Sequence, residues 1–409
     1  MAKITRVRTI RTRRNGGWLI VKVETDQPGL YGIGSASDWY HNDAVNAAIE
    51  QGLGPRLVGR EVGRIEDHWQ SGNTSGYWRN GAVMNTALGG IDMALWDIKG
   101  KEAGKPVYEL LGGASRAAVP CYAHASGNTL EELVEDIRRY VAEGYPVTRC
   151  QLGPYGGGGF LTPAEAGRPR GADTFASTSQ GVFDDEAYLE NVPKMFDYLR
   201  AQLGMGVKLT HDVHEHLRPH NAVTLAKLLE PHRLFFLEDN LSPEQVTYYR
   251  LIRQQCTTPQ AMGELFVSPH EWLPLIQERL IDYVRCRVSK IGGISAAMKV
   301  AHLCEAYGVQ TAWQEGGDND PVNQAAAMHV DMTIWNFGIQ EENHFRPEEL
   351  EIFPGHARLE GGHLYPNERP GLGIEIDEAK AARLLDADLN RVPRHMAEDR
   401  RADGTVVRP

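Results

Sequence analysis

Cysteine is scarce in this chain, with Cys121, Cys150, Cys256, Cys286 and Cys304 alone in 409 residues. The count is odd and no Cys-x-x-Cys pair occurs, which excludes a disulfide framework and a cysteine zinc site. Cys121, Cys150 and Cys286 fall in apolar strand runs and read as buried thiols, which suits a reducing cytoplasm. Basic residues are outnumbered, 43 Lys and Arg against 54 Asp and Glu, for a formal net charge of −11. That balance excludes the basic stripe a nucleic-acid partner would need. No apolar run approaches the roughly 18 residues that span a bilayer, so no membrane partner is expected.

What remains is ordinary for a globular protein: 42% hydrophobic and 24% charged residues. The length suits two or three domains, one of which has room for a barrel of about 250 residues. The start, Met1 to Arg8, is basic and free of acids, as a transit peptide would be. Yet Asn15-Gly16 is a hairpin signal, and Leu19, Val21 and Val23 alternate behind it. The segment therefore reads as the first strand of a sheet, and no secretory signal is expected. Residues 1 to about 40 form a β-meander on this reading, with Pro28-Gly29 and Gly32-Ile33-Gly34 as turns. The following loop gathers Trp39, Tyr40 and His41, either as a lid over a pocket or as packing under the next helix. From Ala82 to Lys101, Leu88, Ile91, Leu95 and Ile98 share one helical face, and Val107 to Leu111 is a second short apolar piece.

Beyond Ala117 strand and helix alternate. Candidate strands run over 119–125, 147–153, 207–214, 234–239, 259–264, 282–289, 310–315 and 332–340, with helical periodicity between them. Eight strands in this rhythm predict a (β/α)₈-type barrel. The long interruption from Pro154 through four glycines to Gly181 leaves a strand's C-terminal end and reads as a mobile flap. No Gly-Lys-Ser/Thr follows it, so it is not a phosphate cradle.

Three of these strands end in carboxylates at equal spacing: Asp212, Glu238 and Glu264, each 26 residues after the last. Each taken singly reads as a helix N-cap. Together, at the C-terminal ends of parallel strands, they predict a shared site for a hard cation, and oxygen donors suit Mg²⁺. His214 lies two residues past Asp212 and so on the same face of an extended chain, where an imidazole is a general acid or base. His211 and His216 fall out of phase and are left unassigned. Arg149 and Gln151 alternate likewise on the second strand. Arg149 either holds a substrate carboxylate, acts beside a base, or pairs with the metal carboxylates; Arg285 and Arg287 on the sixth strand invite the same readings. Gln314, Glu315 and Asp318 reach the rim of the seventh strand and Glu341 that of the eighth, as site residues or as helix caps. The chemistry implied is removal of a weakly acidic proton next to a carboxylate, with Mg²⁺ stabilising the developing enediolate charge.

These residues resemble the enolase superfamily. The likeness runs almost end to end, through Gly90-Ile91-Asp92-Met93-Ala94-Leu95-Trp96-Asp97-Ile98-Lys99-Gly100-Lys101, the three carboxylates, Lys290-Ile291-Gly292-Gly293-Ile294 and Asn336-Phe337-Gly338-Ile339-Gln340-Glu341. It implies a (β/α)₇β TIM-like barrel over 118–365 and an α+β capping domain over 1–117 completed by the tail, 366–409. Within that superfamily the chain is most similar to the mannonate dehydratase group, by Asp212-x-His214, Arg149, His124, Arg285 and the run ending at Glu341. The resemblance implies Mg²⁺ on Asp212, Glu238 and Glu264, with His214 as acid or base and Arg149 paired with a tyrosine base. His124, Arg285, Gln314, Asp318, Glu341 and Trp39 are then the expected contacts to a small-molecule sugar acid such as mannonate or gluconate. That acid would lose water to give a 2-keto-3-deoxy acid, in a symmetric homo-oligomer. The chain departs from the group at Gln314, where a histidine is usual, and at Gly159-Phe160-Leu161, where the loop tyrosine is usual and only Tyr155 is near. Its tail also lacks the usual tryptophan. A ligand-binding protein with the metal site retained and an acid-sugar epimerase are the alternatives.

Overall fold

The computed structural model describes residues 2–12, 17–162, 165–167, 181–384 and 399–408. The chain divides into two compact units: Met1–Pro120 with Glu264–Trp272 and Arg285–Arg394, and Cys121–Gly263 with Leu273–Val284 and His395–Pro409. Among the described residues no helix is long and apolar enough to cross a membrane.

In the first unit the strands Ile4–Thr12, Trp18–Thr25 and Tyr31–Ser35 form an antiparallel meander in chain order. The Asn15-Gly16 hairpin lies outside the described residues. Gly32 and Gly34 do not turn the chain, contrary to expectation; they lie inside the third strand, opposite Val23 and Val21. Their role is close approach. A Cβ at Gly32 would stand 2.0 Å from the carbonyl oxygen of Ala94, and one at Gly34 2.0 Å from that of Gly90. The strand thus lies directly on the backbone of the helix Ala82–Ala103, a contact only glycine permits. That helix ends at Gly104, whose φ of 65° closes it in a left-handed cap. Its expected face is buried, with Leu88, Ile91, Leu95 and Ile98 each at most 5% exposed. Burial continues around to Ala87, Met93, Ala94 and Asp97, as in a helix covered on several sides.

The polar members of the run 90–101 fasten this helix to its surroundings. Asp92 accepts the hydroxyl of Ser295 at 2.5 Å and its N–H at 2.9 Å. Burial raises its pKa to about 7 against those hydrogen bonds. Asp97 accepts the N–H groups of Ile33 (3.0 Å) and Leu372 (2.8 Å) and the Lys101 ammonium (2.9 Å). One buried carboxylate therefore joins strand, helix and a segment near the C-terminus.

The C-terminal helix Glu378–Arg383 begins at Asp377, which caps the N–H groups of Ala379 and Lys380. It is tied to the meander by Glu378, which meets Arg8 at 2.7 Å and Lys22 at 2.8 Å. The hydrogen bond from Arg8 is the main reason the Glu378 pKa falls to about 2, with burial opposing and Lys22 assisting. A depressed carboxylate stabilises above its unfolded pKa, and the contribution disappears as pH falls through the folded value. The stability difference between wild type and Glu378→Gln should therefore be full above about pH 5 and vanish towards pH 2. Urea unfolding at pH steps across that window checks it. With the side chain 40% exposed the effect is modest.

In the second unit six strands pair in parallel in chain order: Val119–Gly127, Val147–Leu152, Leu209–Asp212, Leu237–Glu238, Gln260–Met262 and Tyr283–Val284. Helices return between them. Leu130–Glu143 starts at Thr129, which caps Glu132 N–H at 3.2 Å, and stops at left-handed Gly144. Asp185–Leu203 starts at Asp184 in the same way. Of the long interruption, Phe160–Leu161 pairs antiparallel with Val182–Phe183; residues 163–164 and 168–180 lie outside the described part.

The segments Gln310–Thr311 and Gln340–Glu341 belong to the first unit, where Thr311 bridges Phe337 in parallel. The strand expected over 332–340 begins too early. Met332 and Thr333 instead finish the helix Pro321–Thr333, which Asp320 caps through the N–H groups of Val322 and Asn323. The alanine-rich run before Met332 carries the helix on, and the strand waits until Gln340.

Candidate active site

Parallel pairing places Asp212 directly opposite Glu238 at the ends of adjacent strands. Both carboxylates are fully buried. Two such charges side by side are costly without cationic compensation. Arg149 supplies it, its Nη1 lying 3.1 Å from Asp212 Oδ2 and 3.9 Å from Glu238 Oε1. Tyr122 on the first strand donates its hydroxyl to Glu238 Oε2 at 3.1 Å, and the ring of His124 lies 5.6 Å from that of Tyr122.

The other end of Arg149 answers the question left by the loop. Its Nη2 donates to the Tyr155 hydroxyl at 2.8 Å. The Tyr155 ring in turn lies on that of His214, centroids 4.3 Å apart and planes 34° from parallel. The chain Asp212–Arg149–Tyr155–His214 thus forms one contiguous group. Tyr155 had only its nearness to Arg149 to signal this, because the glycine-rich loop that folds it back has no periodicity.

His214 does not continue the strand. It and Glu215 both take left-handed backbone, φ 50° and 51°, and Asp239 after the next strand has φ 35°. Such angles in non-glycine residues cost on the order of 1–3 kcal/mol each and persist only where neighbours hold them. Here the N–H of His214 donates to Asp212 Oδ1 at 2.8 Å, and that of Glu215 to the Asp239 carbonyl at 2.9 Å. His211 is structural, its ring between the Tyr188 hydroxyl (2.8 Å) and the Cys150 carbonyl (2.9 Å). Burial lowers its pKa to about 4. His216 is likewise neutral, lowered to about 4 by burial.

Gln151, in the second unit, donates its Nε2 to the Pro154 carbonyl at 3.2 Å, and the remaining sequence-predicted residues lie in the first unit. Arg285, fully buried, reaches Glu341 Oε2 at 3.1 Å and Glu264 Oε2 at 3.8 Å. Glu341 Oε2 also accepts the N–H of Glu315 at 2.9 Å. Gln314 is 6% exposed. Asp318 accepts Arg287 Nη1 at 2.5 Å, and Asn319 accepts its Nη2 at 2.9 Å. Glu315 is fully buried and holds Asn319 and Asn323; burial pushes its pKa well above the usual carboxylate range, with Arg287 opposing. Trp39 is half-buried in a turn built on Asp38, which accepts the N–H groups of Tyr40 and His41 and the Lys290 ammonium at 2.6 Å. Lys290 and Tyr122 are not singled out as site residues by sequence; period-2 spacing from His124 is the one signal for Tyr122.

Among the described residues no three His, Cys, Asp or Glu side chains are gathered as a ready metal cage. Asp212 and Glu238 nevertheless fit a hard divalent cation: two buried oxygen donors in register, with a guanidinium lying where positive charge is needed.

Residues 4–112 match the N-terminal domain of the mandelate racemase and muconate lactonizing enzyme family, and residues 132–380 the enolase C-terminal domain-like family. The fold is that of the enolase superfamily, an N-terminal capping domain with a C-terminal TIM-like barrel. A D-galactonate dehydratase family member from Paenibacillus sp. (strain JDR-2) is 61% identical over the whole of both chains. One from Salmonella virchow (strain SL491) is 49% identical over 93% of this chain and 94% of its own. A crystal structure of an enolase from Pantoea ananatis, with bound D-gluconate and Mg, superposes with a TM-score of 0.92 at 46% identity over the full length of both. The 3,6-anhydro-D-galactonate cycloisomerase from Zobellia galactanivorans gives 0.77 at 25% identity over 94% of this chain and 99% of its own. The fold and these matches define a carbon–oxygen lyase of the acid-sugar dehydratase class. The chain belongs to the D-galactonate dehydratase family of the enolase superfamily.

Proposed function

We propose that the protein removes the proton α to the carboxylate of a sugar acid, a hexonate such as gluconate or mannonate, and expels water to give a 2-keto-3-deoxy acid. The observation that carries this reading is the group Asp212–Arg149–Tyr155–His214, which joins buried carboxylates to two groups able to move a proton. Asp212, Glu238 and Glu264 would hold Mg²⁺, which when bound supplies positive charge to the substrate carboxylate as its neighbouring C–H is deprotonated. His214 then serves as acid or base at the substrate. Tyr155, hydrogen-bonded to Arg149 and stacked on His214, takes the place of the loop tyrosine.

Trp39, His124, Arg285, Gln314, Asp318 and Glu341 are the proposed substrate contacts, and residues 1–117 with 366–409 the cap over a barrel of 118–365. The gluconate held by the Pantoea ananatis structure supports a hexonate. Gln314 favours a second reading, a binding protein with weak turnover. A carboxamide neither gives nor takes a proton at neutral pH, so the seventh strand offers no acid–base group at that position.

The deciding experiment supplies Mg²⁺ and a panel of hexonates, pentonates and aldarates to the purified protein and scores 2-keto-3-deoxy acid. Chelator-sensitive product from a hexonate is the expected result. Bound hexonate without product after long incubation would establish the binding protein instead.

A further inference from the structure

We infer that His216 and Arg401 are positioning residues, which hold the carbonyl side of the left-handed turn bearing His214 and so let the C-terminal segment set the placement of that histidine. The inference rests on the acid–base role proposed for His214.

The N–H side of the turn is held by Asp212 and by the Asp239 carbonyl. Its carbonyl side needs donors, and two are present. His216 Nδ1 lies 2.8 Å from the His214 carbonyl and 3.2 Å from that of Val213, so this nitrogen carries the proton. Arg401 Nη2 donates to the carbonyl of His216 itself at 3.3 Å. The arginine is fixed in turn: its Nε donates to Asp185 Oδ2 at 3.0 Å, while Asp185 Oδ1 accepts the N–H of Arg218 at 3.0 Å. One carboxylate thus ties the tail to the residue just beyond the turn. The tail is built in on either side of Arg401, since the Arg400 carbonyl accepts Phe183 N–H at 2.9 Å and Val407 is 1% exposed.

The His216 ring is also packed in, with the residue 2% exposed. A Cβ on Gly156 would stand 2.9 Å from its Nε2, and the Phe183 ring lies 5.2 Å away. Loss of either donor frees the turn to relax from positive φ, which carries the His214 ring off Tyr155. Asp212 and Glu238 stay where strand pairing puts them. The consequence is lost turnover with substrate and metal binding kept.

The test compares His216→Leu, His216→Asn and Arg401→Met in the full-length Mg²⁺-loaded protein. Asparagine keeps an N–H donor near the Nδ1 position, whereas leucine fills the space without one. His216→Leu and Arg401→Met should lower kcat roughly tenfold to a hundredfold, the scale of a misplaced catalytic group. KM should stay within about twofold, and His216→Asn should retain most of the activity. Amide hydrogen exchange should accelerate over 213–217 in the leucine and methionine variants and stay unchanged over 209–212. Equal kcat loss in the asparagine and leucine variants, or unaltered exchange over 213–217, overturns the inference. If the wild type turns over no acid on the panel, the functional reading falls and the exchange comparison alone decides.

Discussion

His214→Asn should leave a folded, Mg²⁺-binding protein that turns over no sugar acid at a useful rate. General acid–base groups contribute about 10²–10⁴-fold, and a loss of that size in kcat is expected here. Asparagine is the informative replacement because residue 214 sits at φ 50°. Asparagine tolerates left-handed backbone where alanine is strained, so the turn and its hydrogen bond to Asp212 survive. His214→Ala should show the same catalytic loss with some added cost in stability. Steady-state kinetics beside thermal unfolding and Mg²⁺ titration separate the two effects. Retained kcat in the asparagine variant would remove His214 from the mechanism and transfer the proton to Tyr155, which Tyr155→Phe would then expose.

The second large effect is expected at Glu238. Glu238→Gln keeps shape and an acceptor for the Tyr122 hydroxyl, but removes one of two buried charges facing each other across adjacent strands. Affinity for Mg²⁺ should fall by more than the ~10–100-fold that even outer partners of metal ligands command. A bound ion at a hundred times its Kd adds about 2.7 kcal/mol to stability, so wild type should gain markedly in Tm on adding Mg²⁺ and lose the gain to a chelator. The variant should show neither change. Without metal it should be as stable as wild type or more so, because the repulsion between Asp212 and its neighbour is gone while Arg149 remains. An Mg²⁺-dependent Tm rise equal to that of wild type would place the ion elsewhere.

The contrast between these residues and their neighbours shows what sequence can convey. Strand-end carboxylates are legible because extended chain alternates with period 2 and parallel strands recur at even intervals; Asp212 and Glu238 could be set side by side on paper. The capping helix is legible for the same kind of reason, since Leu88, Ile91, Leu95 and Ile98 repeat at helical spacing. Gly32 and Gly34 were misread because a glycine placed for a turn and one placed for close packing look alike until the facing helix is known. Met332 was misread because a short apolar run fits the end of a helix as well as the start of a strand. Tyr155 is legible only as the one tyrosine near the expected place, and the roles of His216 and Arg401 are not legible. Their meaning comes from contacts made by irregular loop and tail backbone, which carries no periodicity, and Arg401 meets His216 from 185 residues away.

The scarcity of cysteine has a practical side. All five cysteines are buried. Burial raises the pKa of Cys304 to about 12 and pushes Cys150 and Cys256 upward as well. Burial of this kind slows thiol chemistry in the native fold. Cys121, Cys150 and Cys256 belong to one compact unit, Cys286 and Cys304 to the other. A thiol reagent consequently reaches the fully buried Cys121, Cys150, Cys286 and Cys304 through an opening of the unit that shields them. The order in which these are modified becomes a chemical clock, timing how each half of the molecule comes apart.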